Sequence, residues 1–183
     1  MCALYHGSRT AGLKTIEPHV STHGEAYVYA SRDPMIALLF LGKWDDFLLN
    51  VAYGDDGLLE ITERCAGALE VAFDGCGGSI YELNDESFHT GRTRFDGELV
   101  CETAQPTLGE TSFQDIYSEL LAASERGALR IRRYPDRHPD IPADDSDLVE
   151  EALELFARTN NRAIIERCAT LHPHLAERLN TEK

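Results

Sequence analysis

Two short segments hold the residue types with the greatest capacity for chemistry. A predicted strand over residues 2–5 runs into H-G-S-R-T at residues 6–10, which places an imidazole beside a glycine and a hydroxyl. The second segment, Y-V-Y-A-S at residues 27–31, ends a predicted strand just before a helix. An imidazole can exchange a proton near neutral pH and can donate or accept a hydrogen bond. Taken singly, the first segment also fits a polar turn, and the tyrosines also fit packing of a sheet against a helix.

Other common catalytic and cofactor motifs are missing from the sequence. Ser8 and His6 lie in one predicted loop, and there is no G-x-S-x-G nucleophile elbow. No G-x-G-x-x-G follows a strand, and no phosphate-binding P-loop occurs. The five cysteines form neither a C-x-x-C pair nor a zinc-ligand spacing. We therefore predict reduced thiols and no metal site.

The charge balance restricts the partners of the chain. Its 183 residues include 17 basic and 32 acidic side chains, which gives a formal net charge of −15. This excess of acid disfavours binding to nucleic-acid phosphates or to anionic membranes. The longest apolar run, residues 35–41, is far shorter than the roughly 20 residues of a transmembrane helix. With no signal peptide visible, we expect a cytoplasmic protein without a membrane span.

The elements that would position the two segments follow from hydrophobic spacing and turn residues. Strands are expected over residues 2–5, 26–30, 47–53, 58–62, 79–83, 99–101 and 107–113, and helices over 114–124, 148–158 and 162–171. Asp33 followed by Pro34 predicts the start of a further helix, because Asp is a good N-cap and Pro fits the first helical position. Residues 63–73 leave helix and strand open, with the helix slightly favoured. The expected fold class is α+β.

A change in composition after residue 133 divides the chain. Pro135, Pro139 and Pro142 predict a stiff linker over residues 134–147. A sheet domain of residues 1–133 precedes this linker, and a small helical extension of residues 148–183 follows it. Asp147 with Glu150 three positions later predicts a capping box for the first helix of the extension. The apolar side chains of the extension could cover the sheet domain or bind a protein partner, and both readings stay open.

Taken together and in this order, the Y-H-G-S-R-T and Y-V-Y-A-S segments resemble the His-Tyr-Glu branch of the ADP-ribosyltransferase family. This branch includes poly(ADP-ribose) polymerases and diphtheria-type toxins. The resemblance covers about residues 1–115 in order and rests on those two motifs. It implies a split, mixed and mostly antiparallel sheet with flanking helices, and NAD lying across its cleft. It also implies transfer of ADP-ribose from NAD to an unknown acceptor.

The resemblance assigns roles to individual residues. His6 would hydrogen-bond a hydroxyl of the nicotinamide-side ribose. Gly7 would offer its backbone N–H and C=O to the carboxamide, and Tyr29 would stack on the nicotinamide ring. The full implied cofactor-binding set is His6, Gly7, Ser8, Arg9, Tyr29, Ser31 and Phe40, with Phe40 as a second aromatic wall.

The third member of the family signature is a glutamate at the start of a late strand. It would stabilise the oxocarbenium-like ribose as nicotinamide leaves, and would orient or deprotonate the nucleophile. Glu98 directly precedes the apolar residues of a predicted strand and is the first candidate, while Glu102 at the other end is the second. The family often has a serine where this chain has Ala37, so a catalytically degenerate binding or interaction module is the alternative function.

A relative of this fold, the RNA 2′-phosphotransferase, uses a different set of residues to hold phosphates. Its arginines could correspond to Arg9, Arg32, Arg92 and Arg94. The acidic composition favours the NAD hypothesis over this one. The same acidity requires local donors for the NAD pyrophosphate, and Arg9 and Arg32 are the candidates.

Overall fold

The computed structural model describes residues 3–20, 25–93, 95 and 97–181. The strands are β1 (Ala3–Ser8), β2 (Thr15–Ile16), β3 (His19–Val20), β4 (Ala26–Ala30), β5 (Leu49–Tyr53), β6 (Leu59–Glu63), β7 (Gly78–Asn84), β8 (Leu99–Cys101), β9 (Gln105–Pro106), β10 (Gly109–Phe113) and β11 (Arg130–Arg132). The helices are α1 (Pro34–Leu39), α2 (Ala68–Phe73), α3 (Ile116–Glu125), α4 (Ser146–Thr159), α5 (Arg162–Leu171) and α6 (Ala176–Thr181), with a 3₁₀ turn at Pro173–Leu175. This mixture of helices and mainly antiparallel strands confirms the predicted α+β class.

The described residues form two compact units. The first comprises Met1–Lys43 with Phe73–Ala123, and the second comprises Trp44–Ala72 with Ser124–Lys183. In the second unit β6 pairs antiparallel with β5 and parallel with β11. Its apolar cluster is built by Phe47 and by residues of α4, α5 and α6. These units are groups of residues that pack together, and they do not test the predicted domain boundaries at residues 133 and 147.

Strand β1 lies in the middle of the antiparallel sheet of the first unit. It pairs with β7 over its whole length, and β7 pairs with β10. On the other side of β1, Tyr5 and Ser31 exchange backbone hydrogen bonds of 2.8 and 2.9 Å. Since Ser31 follows β4, and β4 pairs with β8, the strand order is β10-β7-β1-β4-β8.

Helix α1 begins as the sequence predicts. The Asp33 carboxylate accepts a hydrogen bond of 2.8 Å from the backbone N–H of Met35, and Pro34 occupies the first helical turn. This cap satisfies one of the N–H groups that the first turn of a helix leaves without a partner. The residues of α1 from Ile36 to Leu39 are buried, so the helix packs as a whole into the first unit.

Several expectations for individual elements are wrong in detail. Strand β1 does not end at Tyr5 but continues through Ser8, because β7 pairs with it along this stretch. The basic stretch Arg130–Arg132, for which no element was predicted, forms β11 beside β6. The predicted capping box at Asp147 is absent, because α4 starts two residues earlier than predicted, at Ser146, and its N-cap is Asp145 in the left-handed region at φ 53°.

Gly7 is expected to tolerate no side chain. A Cβ at this position would lie well inside contact distance of the Ala37 carbonyl oxygen and 3.3 Å from Cβ of Phe40. The carbonyl belongs to helix backbone and cannot rotate away, so Gly7→Ala should lower the free energy of unfolding by about 2 kcal/mol. Urea denaturation measures this loss.

A second glycine of the same sheet provides the control for this variant. In Gly109→Ala the new Cβ would meet only the flexible end of Glu82, at 3.3 Å. We therefore expect a loss of less than about 0.5 kcal/mol, as at other tolerant positions. Equal losses in the two variants would contradict the close packing of α1 on β1.

Candidate functional site

His6 is held in one tautomer by the neighbouring strand. Its side chain is 7% exposed, and Nδ1 lies 2.6 Å from the backbone oxygen of Tyr29. A carbonyl oxygen can only accept, so Nδ1 carries the proton and Nε2 is left as the acceptor of a neutral ring. Burial lowers the pKa of His6, partly opposed by the bond to Tyr29, with a small further lowering from His19.

We expect His6 to stay neutral in its Nδ1–H form below pH 6.5, the usual pKa of histidine. Two-dimensional ¹H–¹⁵N NMR of the imidazole nitrogens during a pH titration measures both the tautomer and the pKa. The urea-unfolded protein serves as the reference, because there the burial is lost. An Nε2–H tautomer, or a pKa equal in the folded and unfolded states, would contradict this arrangement.

The Tyr29 ring is enclosed by other rings. It is 7% exposed and forms an apolar cluster with Tyr27 and Val100. The centroids of Tyr27 and Tyr29 are 6.0 Å apart in an edge-to-face arrangement, which is favourable for aromatic pairs. The exposed ring of His19 lies 5.4 Å from Tyr29. The sequence does not indicate the contact of this histidine with Tyr29, because it depends on the pairing of the two-residue strand β3 with β4.

The backbone N–H and C=O of Gly7 face β4, on the side of β1 where the backbone pairing does not continue beyond Tyr5. In an antiparallel strand every second residue directs its N–H and C=O to the same neighbour. Tyr5 directs these groups to Ser31, so Gly7 directs its own towards β4 as well. The described backbone pairing between β1 and β4 consists of Tyr5 and Ser31. Two residues before Ser31 on β4, the backbone oxygen of Tyr29 accepts a hydrogen bond from the His6 side chain. A backbone donor and acceptor are thus presented beside His6.

Glu98 lies directly before β8 and is 8% exposed. Its backbone N–H donates to the Phe95 oxygen at 3.1 Å. Burial raises the pKa of the Glu98 carboxyl, and a hydrogen bond from Thr93 opposes this in part. Glu102, the second candidate, is exposed at the other end of β8.

The structure places His6 on β1, Tyr29 on β4 and Glu98 directly before β8. Strand β4 lies between β1 and β8, and it pairs with β8 through Tyr29↔Val100 and Ala30↔Leu99. Glu98 is therefore one position beyond the last pair, next to the end of β4. Tyr29 therefore lies between the strand that carries His6 and the strand that Glu98 precedes.

Other members of the implied binding set make hydrogen bonds inside the protein. Arg9 donates from Nε to the Leu41 oxygen at 3.1 Å and from its second terminal nitrogen to the Gly42 oxygen. The Ser8 hydroxyl accepts from the N–H of Thr10 at 3.2 Å. Phe40 is half-buried at the C-terminal end of α1, against the face of β1 that carries Gly7.

The arginines of the phosphotransferase hypothesis are dispersed. Arg32 pairs with Asp85 at 3.5 Å. Arg92 is exposed, and its charge acts on Tyr27. Arg94 lies outside the described residues. Arg9 binds backbone carbonyls. The arginines that the structure describes therefore have separate partners and form no common phosphate cradle.

The described part of the chain contains neither a cluster of metal-ligand residues nor a helix of membrane-spanning character. Within residues 3–20, 25–93, 95 and 97–181, no group of three or more His, Cys, Asp or Glu side chains is arranged to hold a metal ion. In the same part of the chain no helix is long and apolar enough to cross a membrane. Comparisons with protein-family models, with curated proteins and with solved structures found no match. The site geometry and the motif resemblance are therefore the observations that indicate a function.

Proposed function

We propose that this chain is an NAD-consuming ADP-ribosyltransferase that passes ADP-ribose to an acceptor nucleophile. The observation that carries the proposal is the bond from His6 to the Tyr29 backbone, beside the end of β4 where Glu98 also lies. In the reaction the bond between C1′ of the ribose and the nicotinamide nitrogen breaks, and its electron pair leaves with neutral nicotinamide. The acceptor forms the new bond to C1′, and its proton passes to a carboxylate or to water.

The groups at this point suit the parts of NAD that react. The acceptor Nε2 of His6 suits a ribose hydroxyl, which donates. The N–H and C=O of Gly7 suit a carboxamide, which has both an acceptor and a donor. A buried carboxylate at Glu98 suits the positive charge that develops on the ribose, because electrostatic stabilisation is strong where water is excluded.

NAD binding provides the first test of this proposal. Titration calorimetry should show binding of NAD to the wild-type protein and weaker binding to His6→Ala and Tyr29→Ala. Ser118→Ala, which removes a hydroxyl bonded to Asp115 at the start of α3, is the matched control and should bind like wild type. Absence of binding at millimolar NAD would refute the proposal.

A second candidate function is a binding module without turnover. It is favoured by Ala37, a fully buried residue without a hydroxyl where the related family often has serine. NAD binding with no release of nicotinamide would support this module. The cytoplasmic location, the unknown acceptor and a partner surface on the C-terminal helices stay predictions from the sequence.

A further inference from the structure

Ser31 joins three segments of the first unit. Its hydroxyl donates to the Gly97 oxygen at 2.7 Å and accepts from the N–H of Asp33 at 3.1 Å. Its backbone exchanges two hydrogen bonds with Tyr5, the residue before His6. The side chain is 1% exposed, so water competes little for these bonds.

We propose that Ser31 is a positioning residue for Glu98, and not the cofactor ligand that the resemblance implies. The inference rests on the proposed function, because it concerns the carboxylate assigned to catalysis there. Gly97 directly precedes Glu98, so the hydroxyl of Ser31 fixes the peptide from which Glu98 extends. The same residue fixes Tyr5 and thereby the strand of His6. A single residue thus sets the spacing between the two polar groups of the site.

The register of β4 and β8 shows why a hydroxyl is needed here. Continuation of the pairs Tyr29↔Val100 and Ala30↔Leu99 would place Ser31 opposite Glu98. Ser31 exchanges its backbone hydrogen bonds with Tyr5, and the Glu98 N–H donates to the Phe95 oxygen, so the backbones of Ser31 and Glu98 do not link β4 to β8 at this level. The hydroxyl of Ser31 then makes the link between the two strands that backbone pairing no longer provides.

The donor of Ser31 is also already in use. A hydroxyl donates one hydrogen bond, and this one goes to Gly97. An anionic or carbonyl group of NAD would need that same donor, and binding would have to break the link to the Glu98 segment. Positioning of Glu98 and donation of a hydrogen bond to NAD by this hydroxyl therefore exclude each other and can be separated by kinetics.

The test compares Ser31→Ala, Ser31→Thr and the control Ser118→Ala in nicotinamide release. For Ser31→Ala we expect kcat to fall about 10-fold, because small displacements of a catalytic group are costly, with KM for NAD changed less than about 2-fold. Ser31→Thr keeps the hydroxyl and should restore most of kcat, and Ser118→Ala should match wild type. A raised KM with kcat unchanged in Ser31→Ala would overturn the proposal, as that is the result for a cofactor ligand.

Amide hydrogen exchange provides a readout that needs no activity. In Ser31→Ala the Glu98 amide, which donates to Phe95, should exchange at least about 10-fold faster, whereas the Ile80 amide in β7 should not change. Unchanged exchange at Glu98 would overturn the positioning role. If Ser31→Ala fails to fold, Ser31→Cys, with a similar volume and a weak donor, takes its place with the same expectations. Absence of nicotinamide release from wild type would refute the proposed function alone, and the exchange result would still decide the role of Ser31.

Discussion

Glu98→Gln is expected to lower kcat for nicotinamide release by about 10³-fold, while NAD still binds. Glutamine has nearly the shape of glutamate but no negative charge, so it fills the site without stabilising a cationic ribose. The charge counts strongly here because the side chain is 8% exposed. Steady-state kinetics and calorimetry on the same preparation separate turnover from binding.

The pH dependence of kcat in the wild-type protein tests the same role of Glu98. Burial, the largest influence, raises the pKa of Glu98 above its usual value of 4.5. The active form is ionised, so kcat should fall as the pH decreases through the raised pKa, and this fall should occur above pH 4.5. Glu98→Gln should lack this limb in its residual activity.

The same substitution should stabilise the fold at neutral pH. A carboxyl with a raised pKa favours the protonated state in the folded protein, so the stability linked to it is lost as the pH rises through that pKa. Glutamine removes the buried charge, and the Tm of Glu98→Gln at pH 7 should exceed that of wild type.

Glu102→Gln tests the alternative catalytic glutamate. A large loss of kcat in Glu102→Gln, with a small loss in Glu98→Gln, would assign the catalytic role to Glu102.

Asp145→Asn is expected to have the largest effect on stability, a loss of about 3 kcal/mol at pH 7. Asp145 is 1% exposed and binds Arg64 at 2.9 Å, Arg137 at 2.7 Å and His174 at 2.9 Å. Arg64 is itself buried, so removal of the carboxylate leaves guanidinium charge without full compensation. Asparagine tolerates the left-handed backbone at φ 53°, so the variant changes charge with little strain.

The acid dependence of stability should change in the same variant. Burial alone would raise the pKa of Asp145, but hydrogen bonds from Arg137 and Arg64 outweigh it and hold the pKa well below its usual value. The resulting stability is present above the ordinary pKa of 3.8 and is lost as the pH falls through the lower folded value. Wild type should therefore lose stability in acid more steeply than Asp145→Asn.

Urea unfolding at pH 7 and in acid measures both effects, and Asp144→Asn is the neighbouring control. The Asp144 side chain is 66% exposed and pairs with Arg178 at 3.1 Å. Surface pairs of this kind contribute less than about 1 kcal/mol. Equal losses in the two variants would show that the buried cluster has no special role.

Local sequence signals predicted the elements that depend on local chemistry. Strand β4 has the predicted bounds because alternating bulky residues identify it, and the Asp33-Pro34 start of α1 is confirmed because a cap is a local contact. Strand β11 was missed because its arginines pair with the buried Glu60, about 70 residues earlier in the chain. Asp147 was assigned to a cap for the same reason, since its partner Arg64 is distant in sequence.

In the candidate site too, local motifs were predictable from the sequence, whereas contacts between distant segments were not. Motif order indicated His6, Tyr29 and Glu98, and the structure places Tyr29 on β4, between β1, which carries His6, and β8, which Glu98 precedes. The sequence could not show that the hydroxyl of Ser31 reaches Gly97, because this bond spans 66 residues. It also could not show His19 beside Tyr29, since that contact depends on pairing of the very short β3 with β4.

Release of nicotinamide from NAD tests the central claim most directly. Liquid chromatography should detect nicotinamide that accumulates with wild-type protein and with Ser118→Ala, and almost none with Glu98→Gln or His6→Ala. Calorimetry on the same samples should show that Glu98→Gln still binds NAD. No release from the wild-type protein, or equal release from wild type and Glu98→Gln, would contradict the proposal that this chain is an ADP-ribosyltransferase.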